Sequence, residues 1–320
     1  MTSQHARRAS RVLAAIVLLA FGAIAVRNID AGRVLAELQR IRAAWIVAAL
    51  CCFAAILPLW ALQWTLLAPR TSRNTIARML GVTTMMSSTM NTTPFFVGEA
   101  AGLVLLVARI GVTRAEAVSI TIMDQLLVGV AKIAVLSTAA LTLTVPEWMR
   151  AGWATLTVGV VGLLAICALS VWQRERLVSF ASRVLPHRAA QAIGNIGGAL
   201  EPLRSPRRGG FALLLALAKK CAEILAIVCV QRAFGVTLPL ASAVLVLAAL
   251  NLATLLPIVP GNLGVYEGAV VLVYTRLGLS TEHAVSIAIV QHACFFVALA
   301  VPGYCWAAAT AASRVRAAAS

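Results

Sequence analysis

The chain has 320 residues, of which 61% are hydrophobic and 12% charged, and its formal net charge is +16. Soluble domains are nearer half apolar and a quarter charged, so this composition excludes an ordinary soluble globular protein. The basic residues lie between apolar runs with no interleaved aromatic residues. That pattern excludes a nucleic-acid partner and favours contacts with anionic lipid head groups. We therefore predict an all-α polytopic membrane protein in which residues 1–320 form a single membrane domain.

The first elements run from a basic N-terminus to a second span. Three arginines in the first eleven residues indicate a cytoplasmic start, and Val12–Val26 is predicted to be a retained span that runs outward. Its end at Ala23-Ile24-Ala25 also fits a signal-peptide cleavage site, so removal of this run stays an alternative. Residues 27–42 have the pattern of an interfacial amphipathic helix, and Ala44–Leu67 is predicted to cross back to the cytoplasm.

An interrupted apolar segment follows, and it is predicted to form a re-entrant hairpin that opens toward the cytoplasm. Ile76–Asn91 forms its first arm, and breaks are expected at Pro94 and Gly98. Ala100–Ala108 forms a second arm of about half a membrane thickness at ~1.5 Å per residue. Ala115–Val145 is then predicted to be a long outward span.

The chain continues through a basic loop to the last spans. After an inward span over Gly152–Trp172, residues 173–210 carry many arginines, prolines and glycines and are predicted to form a cytoplasmic loop. Phe211–Phe234 is predicted to run outward. His283–Ala309 is predicted to be the last span, which leaves the C-terminus cytoplasmic.

A second re-entrant hairpin is predicted between these last two spans, and it opens from the opposite side. Its arms are Leu238–Leu256 and Tyr266–Thr275. Irregular backbone at membrane depth is tolerated only where it is buried in protein or lines a water-filled space. The residues expected to break the helix are Pro260, Gly261, Asn262 and Gly264.

The segments around the two hairpins repeat each other. Val104–Gln125 recurs 167 residues later as Val271–His292, with nine of 22 positions identical. Broken apolar segments at matching places in two halves are typical of transporters built from inverted-topology repeats. We predict repeat halves over 44–145 and 211–310, with about six full spans plus two re-entrant helical hairpins. The alternative is eight full spans.

Three blocks of residues carry a resemblance to a known family. They are Gly98-Glu99 with Arg109, the run from Pro260 to Glu267, and the stretch from Trp60 to Trp64. Together they resemble the transmembrane domain of lysylphosphatidylglycerol synthase/flippase proteins, over nearly the whole chain. Two departures are Asn262 in place of a second glycine and the sequence Phe95-Phe96-Val97, where the family has a glycine-richer turn.

The resemblance implies an integral membrane protein that handles lipids or lipid-linked head groups. Bifunctional members carry a soluble aminoacyl-transferase domain after the membrane part. This chain has no such segment after its last predicted span, so aminoacylation is not expected here.

Two glutamates are the first candidate site residues. Glu99 and Glu267 each follow a predicted break, so both are expected at the N-terminal end of a half-helix. A carboxylate there stabilises a helix by up to about 1 kcal/mol. Because a carboxylate at mid-depth costs at least ~2.5 kcal/mol, we favour a proton, cation or head-group site over capping alone.

Polar residues also occur at equivalent places in the two halves. Asp124 matches Gln291, and Gln125 matches His292, while Lys132 lies on nearly the same helix face as Gln125. These residues either hold the helices together through interhelical hydrogen bonds or line a translocation path.

A third group of charges lies inside one predicted span. Glu223 can pair with either Lys219 or Lys220 on the same helix, which leaves one lysine to meet a lipid phosphate or to snorkel to the interface. Arg109 and Arg276 close the two short helices, where cations suit helix C-termini and phosphate binding is the less favoured role.

The sequence contains no recognisable catalytic motif. The seven cysteines lie in apolar runs, and no residues have the spacing of a metal site, a nucleophile–base pair or a cofactor loop. We therefore expect no cofactor, no metal and no enzymatic activity, and an intramembrane transferase ranks low.

These patterns predict a translocator of a phospholipid or a lipid-linked head group in the cell inner membrane. The alternative is an accessory membrane subunit that presents lipid-linked substrate to a glycosyltransferase or other lipid-modifying enzyme. In that case the basic loop 173–210 would be the docking surface.

Overall fold

The computed structural model describes residues 30–69, 73–93, 95–142, 147–172, 206–255 and 259–319, and throughout these ranges the regular structure is helical. This confirms the all-α prediction. The run Val12–Val26 and residues 173–205 of the basic loop lie outside the described residues. The helices are α1 (Ala31–Gln39), α2 (Ala43–Ala54), α3 (Ile56–Leu67), α4 (Ile76–Thr92), α5 (Phe95–Leu105), α6 (Arg114–Thr142), α7 (Glu147–Trp172), α8 (Pro206–Ala233), α9 (Leu240–Ala253), α10 (Val265–Arg276) and α11 (Thr281–Ala319).

Among the described residues, three helical segments are long and apolar enough to cross a membrane. They are Ala43–Leu67, Arg114–Thr142 and Thr281–Ala311. The first consists of α2 and α3, which meet at Ala55 and correspond to the predicted second span. The total number of spans stays a prediction, because length and composition alone define these segments.

The first hairpin, α4 and α5, is held together by close contact at glycine. A Cβ atom on Gly98 would overlap the Cγ atom of Met90, and one on Gly102 would overlap the sulfur of Met86. The expectation of a break at Gly98 is therefore wrong, because this residue lies within α5 and lets two helices approach closely. Pro94 lies outside the described residues.

The short arm of this hairpin is also longer than predicted. The helix begins at Phe95 and continues from Leu106 to Ile110 as a π-helical turn, which ends at Gly111 with a φ of 80°. Sixteen residues span about 24 Å, which is most of the hydrocarbon thickness.

The second hairpin, α9 and α10, breaks where the sequence predicts. Pro260, Gly261 and Asn262 form a short 3₁₀ turn, and Gly264 precedes α10. Three of these residues have left-handed φ angles, 64° at Gly261, 55° at Asn262 and 83° at Gly264. Asparagine tolerates this region better than most residues, which explains how Asn262 can occupy a position where the family has glycine.

The tips of the two hairpins touch each other. A Cβ atom on Gly261 would lie 2.9 Å from the backbone oxygen of Asn91, the penultimate residue of α4. The turn of the second hairpin therefore packs against the end of α4, the first arm of the first hairpin.

The bases of the two hairpins lie at opposite ends of the segment Ala43–Leu67. At one end, Asn74 before α4 donates hydrogen bonds to the backbone oxygens of Thr65 and Pro69. At the other end, the backbone N–H of Arg42 donates to Ala233, and the ring of Phe234 packs on His283 after α10. An inverted-topology repeat requires this geometry, although the depth of either hairpin in a bilayer stays a prediction.

Matching positions of the two copies adopt the same local structure. Gly111 and Gly278 both end a short helix with a left-handed φ, 80° and 92°. The hydroxyl groups of Thr113 and Ser280 then accept the N–H three residues later, each at 3.3 Å, at the start of α6 and α11.

Two apolar clusters pack on either side of a charged layer. On α6, Ala131 belongs to the cluster of the first hairpin and Val135 to that of the second, and Lys132 lies between them. On α8, Ala216 and Ile227 belong to these same two clusters. The segment of α8 between them carries the charged residues that form the candidate site.

Candidate functional site

In the first half, the carboxylate of α5 reaches the following long helix. Glu99 accepts a hydrogen bond of 3.0 Å from the side-chain amide of Gln125 on α6. Glu99 is the fifth residue of α5 and lies outside its first turn, so the expected N-terminal capping role is not seen here. Its second oxygen, Oε2, is buried without a hydrogen-bond partner among the described residues.

In the second half, the corresponding carboxylate makes two contacts. Glu267 Oε1 lies 2.6 Å from Nδ1 of His292 on α11, and Oε2 accepts the backbone N–H of Gly264 at 2.7 Å. Glu267 lies in the first turn of α10, the position predicted for it, where it caps the helix and also bonds a histidine.

The two contacts are equivalent in the repeat. Gln125 and His292 occupy matching positions of the two copies, and each bonds the glutamate of the hairpin that precedes it. The neighbouring matched pair, Asp124 and Gln291, is also buried, at 4% and 0% exposure. The structure therefore brings together residues that the repeat singled out separately.

Asp124 lies at a junction of three helices. Its Oδ2 accepts the indole N–H of Trp60 on α3 at 3.0 Å, and its Oδ1 lies 3.4 Å from the ammonium group of Lys219 on α8. The ammonium group also lies 5.6 Å from the centre of the Trp60 ring. Both members of the ion pair are buried, with side-chain exposures of 8% and 6%.

A second charged group lies one residue further along α8. Lys220 bonds Glu223 at 2.8 Å and the side-chain oxygen of Asn251 on α9 at 3.3 Å. Lys132 of α6 lies within electrostatic range of Lys220 and Glu223. No hydrogen bond or ion pair of Lys132 joins it to the rest of the described chain.

The expectation of a spare lysine on α8 is therefore wrong, because each lysine of α8 has its own carboxylate. Lys219 and Lys220 occupy the middle of a 28-residue helix, about 20 Å from either end. Their ammonium groups bind partners inside the protein, so neither lysine side chain extends to the membrane interface. The surplus cation of the layer is Lys132.

Several buried polar atoms near this layer have no hydrogen-bond partner among the described residues. They include the amide nitrogen Nδ2 of Asn251, Nε2 of His292 and both amide atoms of Gln63, which is fully buried. Most buried polar groups in proteins are hydrogen-bonded, so these atoms keep the capacity to bind a further polar group.

A match to a protein family bears on these residues. Residues 11–303 match the family model described as the lysylphosphatidylglycerol synthase TM region. The chain belongs to this family. Comparisons with curated proteins and with solved structures gave no match.

Membership of the lysylphosphatidylglycerol synthase TM family confirms the resemblance found in the sequence. Together with the long apolar helices it supports a membrane location and a function related to membrane lipids. Of the blocks that carry the resemblance, the run from Pro260 to Glu267 forms the turn and cap of the second hairpin, and Trp60 binds Asp124.

The remaining predicted candidates lie away from this layer. Arg109 lies in the π-helical turn that ends the first hairpin and Arg276 ends α10, so they occupy the two opposite bases. Neither contributes to the buried contacts described above.

Sequence reasoning gave four residues of the site no functional role, although three of them lie in the blocks that carry the family resemblance. Trp60, Gln63, Tyr266 and Asn251 contact or flank the charged layer, yet none of them is charged. The available signal was a polar side chain inside an otherwise apolar segment, which applies to Gln63 and Asn251.

Proposed function

We propose that this chain translocates a phospholipid or a lipid-linked head group across the inner membrane by alternating access. The observation that carries the proposal is the pair of hairpins that open at opposite ends of one long helix and touch at their tips. Each hairpin supplies a carboxylate that bonds the matching residue of the repeat. Such an arrangement lets either hairpin move while the other closes the path.

The charged layer offers polar partners that replace the hydration a lipid head group loses when it enters the membrane. Moving a charge into hydrocarbon costs several kcal/mol unless polar partners replace its hydration. The ammonium group of Lys132 and the side-chain amide of Asn251, whose nitrogen has no partner among the described residues, are donors suited to a phosphate oxygen. The acyl or prenyl chains would remain in the lipid beside the protein.

We assign the binding of the head-group phosphate to lysine, and not to a helix N-terminus. The N-terminal end of a helix can bind an anion through its free N–H groups. Glu267 occupies this position on α10 with its own carboxylate. An anionic head group therefore meets Lys132 in preference to the start of α10.

We also propose that the first hairpin opens to the cytoplasm and that both termini lie there. Four arginines lie at its base and seven more in residues 173–210, which lead into α8 beside it, against six described arginines at the opposite end. The positive-inside rule orients membrane proteins by this asymmetry. The arginines at the base of the first hairpin are Arg73, Arg78, Arg109 and Arg114.

Reconstitution with fluorescent phospholipids in liposomes tests the proposal. We expect Glu99→Gln and Glu267→Gln to slow lipid movement, because both remove a carboxylate from a hairpin. Glu116→Gln is the matched control, since this residue caps α6 at the protein surface through Thr113. Unchanged rates in both hairpin variants would reject the assignment. Capture of a specific lipid-modifying enzyme by a chain that moves no lipid would favour the accessory role instead.

A further inference from the structure

We propose that the Glu267–His292 pair is a proton-binding site that couples lipid translocation to a transmembrane proton gradient. The inference rests on the proposed function and adds its energy source. Its elements are a partly buried acid–base pair, an imidazole nitrogen with no partner among the described residues, and a direct connection between this pair and the tip of the second hairpin.

The pair is held in one geometry from several sides. Glu267 Oε1 and His292 Nδ1 are 2.6 Å apart, with side-chain exposures of 27% and 4%. The ring of Tyr266 stacks on the imidazole with centroids 4.2 Å apart and an interplanar angle of 14°. The hydroxyl of Tyr266 accepts a bond of 2.9 Å from Gln291. The imidazole is thereby positioned before any proton arrives.

One nitrogen of the imidazole is available to a proton. A carboxylate only accepts hydrogen bonds, so Nδ1 carries the hydrogen that faces Glu267 and Nε2 carries the lone pair. Nε2 of His292 is buried and has no partner among the described residues. A proton binds there by adding to the lone pair, which forms one N–H bond and breaks none in the protein. Loss of the same proton restores the neutral ring.

Proton binding changes the charge at the hairpin tip. The pair carries one negative charge when the imidazole is neutral and none when it is an imidazolium. Glu267 Oε2 meanwhile holds the N–H of Gly264, which lies in the turn with a φ of 83°. The same turn packs on Asn91 of the first hairpin through Gly261. A charge change at the pair therefore acts on the contact between the two hairpins.

The described residues around this pair include few other charged or titratable groups. Glu223 of α8 lies within electrostatic range of Tyr266, but Lys220 compensates its charge at 2.8 Å. Tyr266 and Tyr274 on α10 and Cys294 on α11 are weak acids that stay neutral at physiological pH. The described part of α9, Leu240–Ala253, contributes no titratable side chain, and the near end of α4 contributes Asn91 and Thr92.

The first hairpin provides an internal comparison. Its glutamate bonds an amide, Gln125, which takes up no proton in the physiological range. An imidazole ring, unlike an amide, can bind a proton at the nitrogen that carries its lone pair. The coupling is accordingly assigned to the second half alone.

The experiment compares lipid movement with and without a pH gradient across proteoliposomes whose membrane potential is clamped to zero. With one proton moved per lipid, a gradient of one pH unit shifts the equilibrium lipid distribution by about tenfold. We expect this shift in the natural chain and its loss in His292→Gln, which gives the second half the chemistry of the first. The readout is the ratio of the distributions with and without the gradient, so a slower variant can still be compared.

A second measurement needs no variant. An imposed lipid asymmetry should drive protons across the membrane of proteoliposomes, detected by an enclosed pH-sensitive dye. Lipid movement by the natural chain that neither responds to the gradient nor carries protons would overturn the coupling and leave translocation standing. An undiminished response in His292→Gln would overturn the assignment to this pair. Absence of lipid movement under all conditions would overturn the proposed function, and the coupling with it.

Discussion

The two hairpins differ in what holds them, although the chain builds both from the same repeat. The first is a tight pair of helices in which Gly98 fits against Met90, and its carboxylate bonds an amide. The second is an open turn of left-handed residues, and its carboxylate bonds a histidine. The comparison teaches that a duplicated framework can keep its contacts while the partner of the carboxylate changes from an amide to an imidazole.

The largest expected effect concerns the charged layer between the hairpins. Lys219→Met removes the partner of buried Asp124, and breaking a buried ion pair costs about 3–5 kcal/mol. We expect a marked loss of thermal stability in detergent, measured by the unfolding transition. The double variant Lys219→Met with Asp124→Leu should recover part of the loss. Equal stability of the single variant and the natural chain would show that the pair is not formed.

The packing of the first hairpin comes next. Gly98→Leu places a side chain where even a Cβ atom would lie 2.7 Å from the Cα atom of Met90, so the helices must separate. Overpacking of this kind costs about 1–3 kcal/mol or more. Gly268→Leu on α10 is the control, because a Cβ atom there meets no other atom within 4 Å. Similar unfolding temperatures for the two variants would contradict the close contact in the first hairpin.

Substitutions in the turn of the second hairpin are expected to have a smaller effect on stability. Asn262 has a φ of 55°, so Asn262→Val should cost about 1–2 kcal/mol, whereas Asn262→Gly should be close to neutral. Thermal unfolding of both variants checks the difference. A valine variant as stable as the glycine variant would show that the turn does not adopt this backbone conformation.

The smallest effect is expected at the hydrogen bond that mirrors the ion pair. Tyr266→Phe removes the acceptor of Gln291, the repeat mate of Asp124, at a cost of about 0.6 kcal/mol for a membrane-embedded hydrogen bond. The ratio of this loss to that of Lys219→Met compares the matched positions Asp124 and Gln291. A loss as large as that of the ion pair would remove the distinction between a charged and an uncharged side chain at these two positions.

The sequence predicts features that depend on local chemistry. The break between α9 and α10 follows from Pro260 and the nearby glycines, and the contacts at Gln125 and His292 follow from their matching places in the repeat. Features that depend on distant partners are harder to predict. Gly98 was expected to break a helix, because a glycine in close packing and a glycine in a turn differ only through a neighbour such as Met90.

Long-range partners explain the other differences. Lys219 pairs with the carboxylate of Asp124, which lies 95 residues away in the sequence. Local spacing can predict only an ion pair within α8, such as that of Lys220 with Glu223. Asn251 and Trp60 enter the site from helices that show no charge of their own. Their roles depend on how α3, α8 and α9 pack together.

The opposite orientation of the two hairpins is tested most directly by labelling two matched positions. Thr113 and Ser280 are exposed repeat mates that cap α6 and α11, beside the bases of the first and second hairpin. Each is replaced singly by cysteine and treated with a membrane-impermeant thiol reagent in sealed vesicles, with the natural chain as background. The account predicts that one is labelled from outside and the other only after the vesicles are opened. Labelling of both from the same side would contradict it.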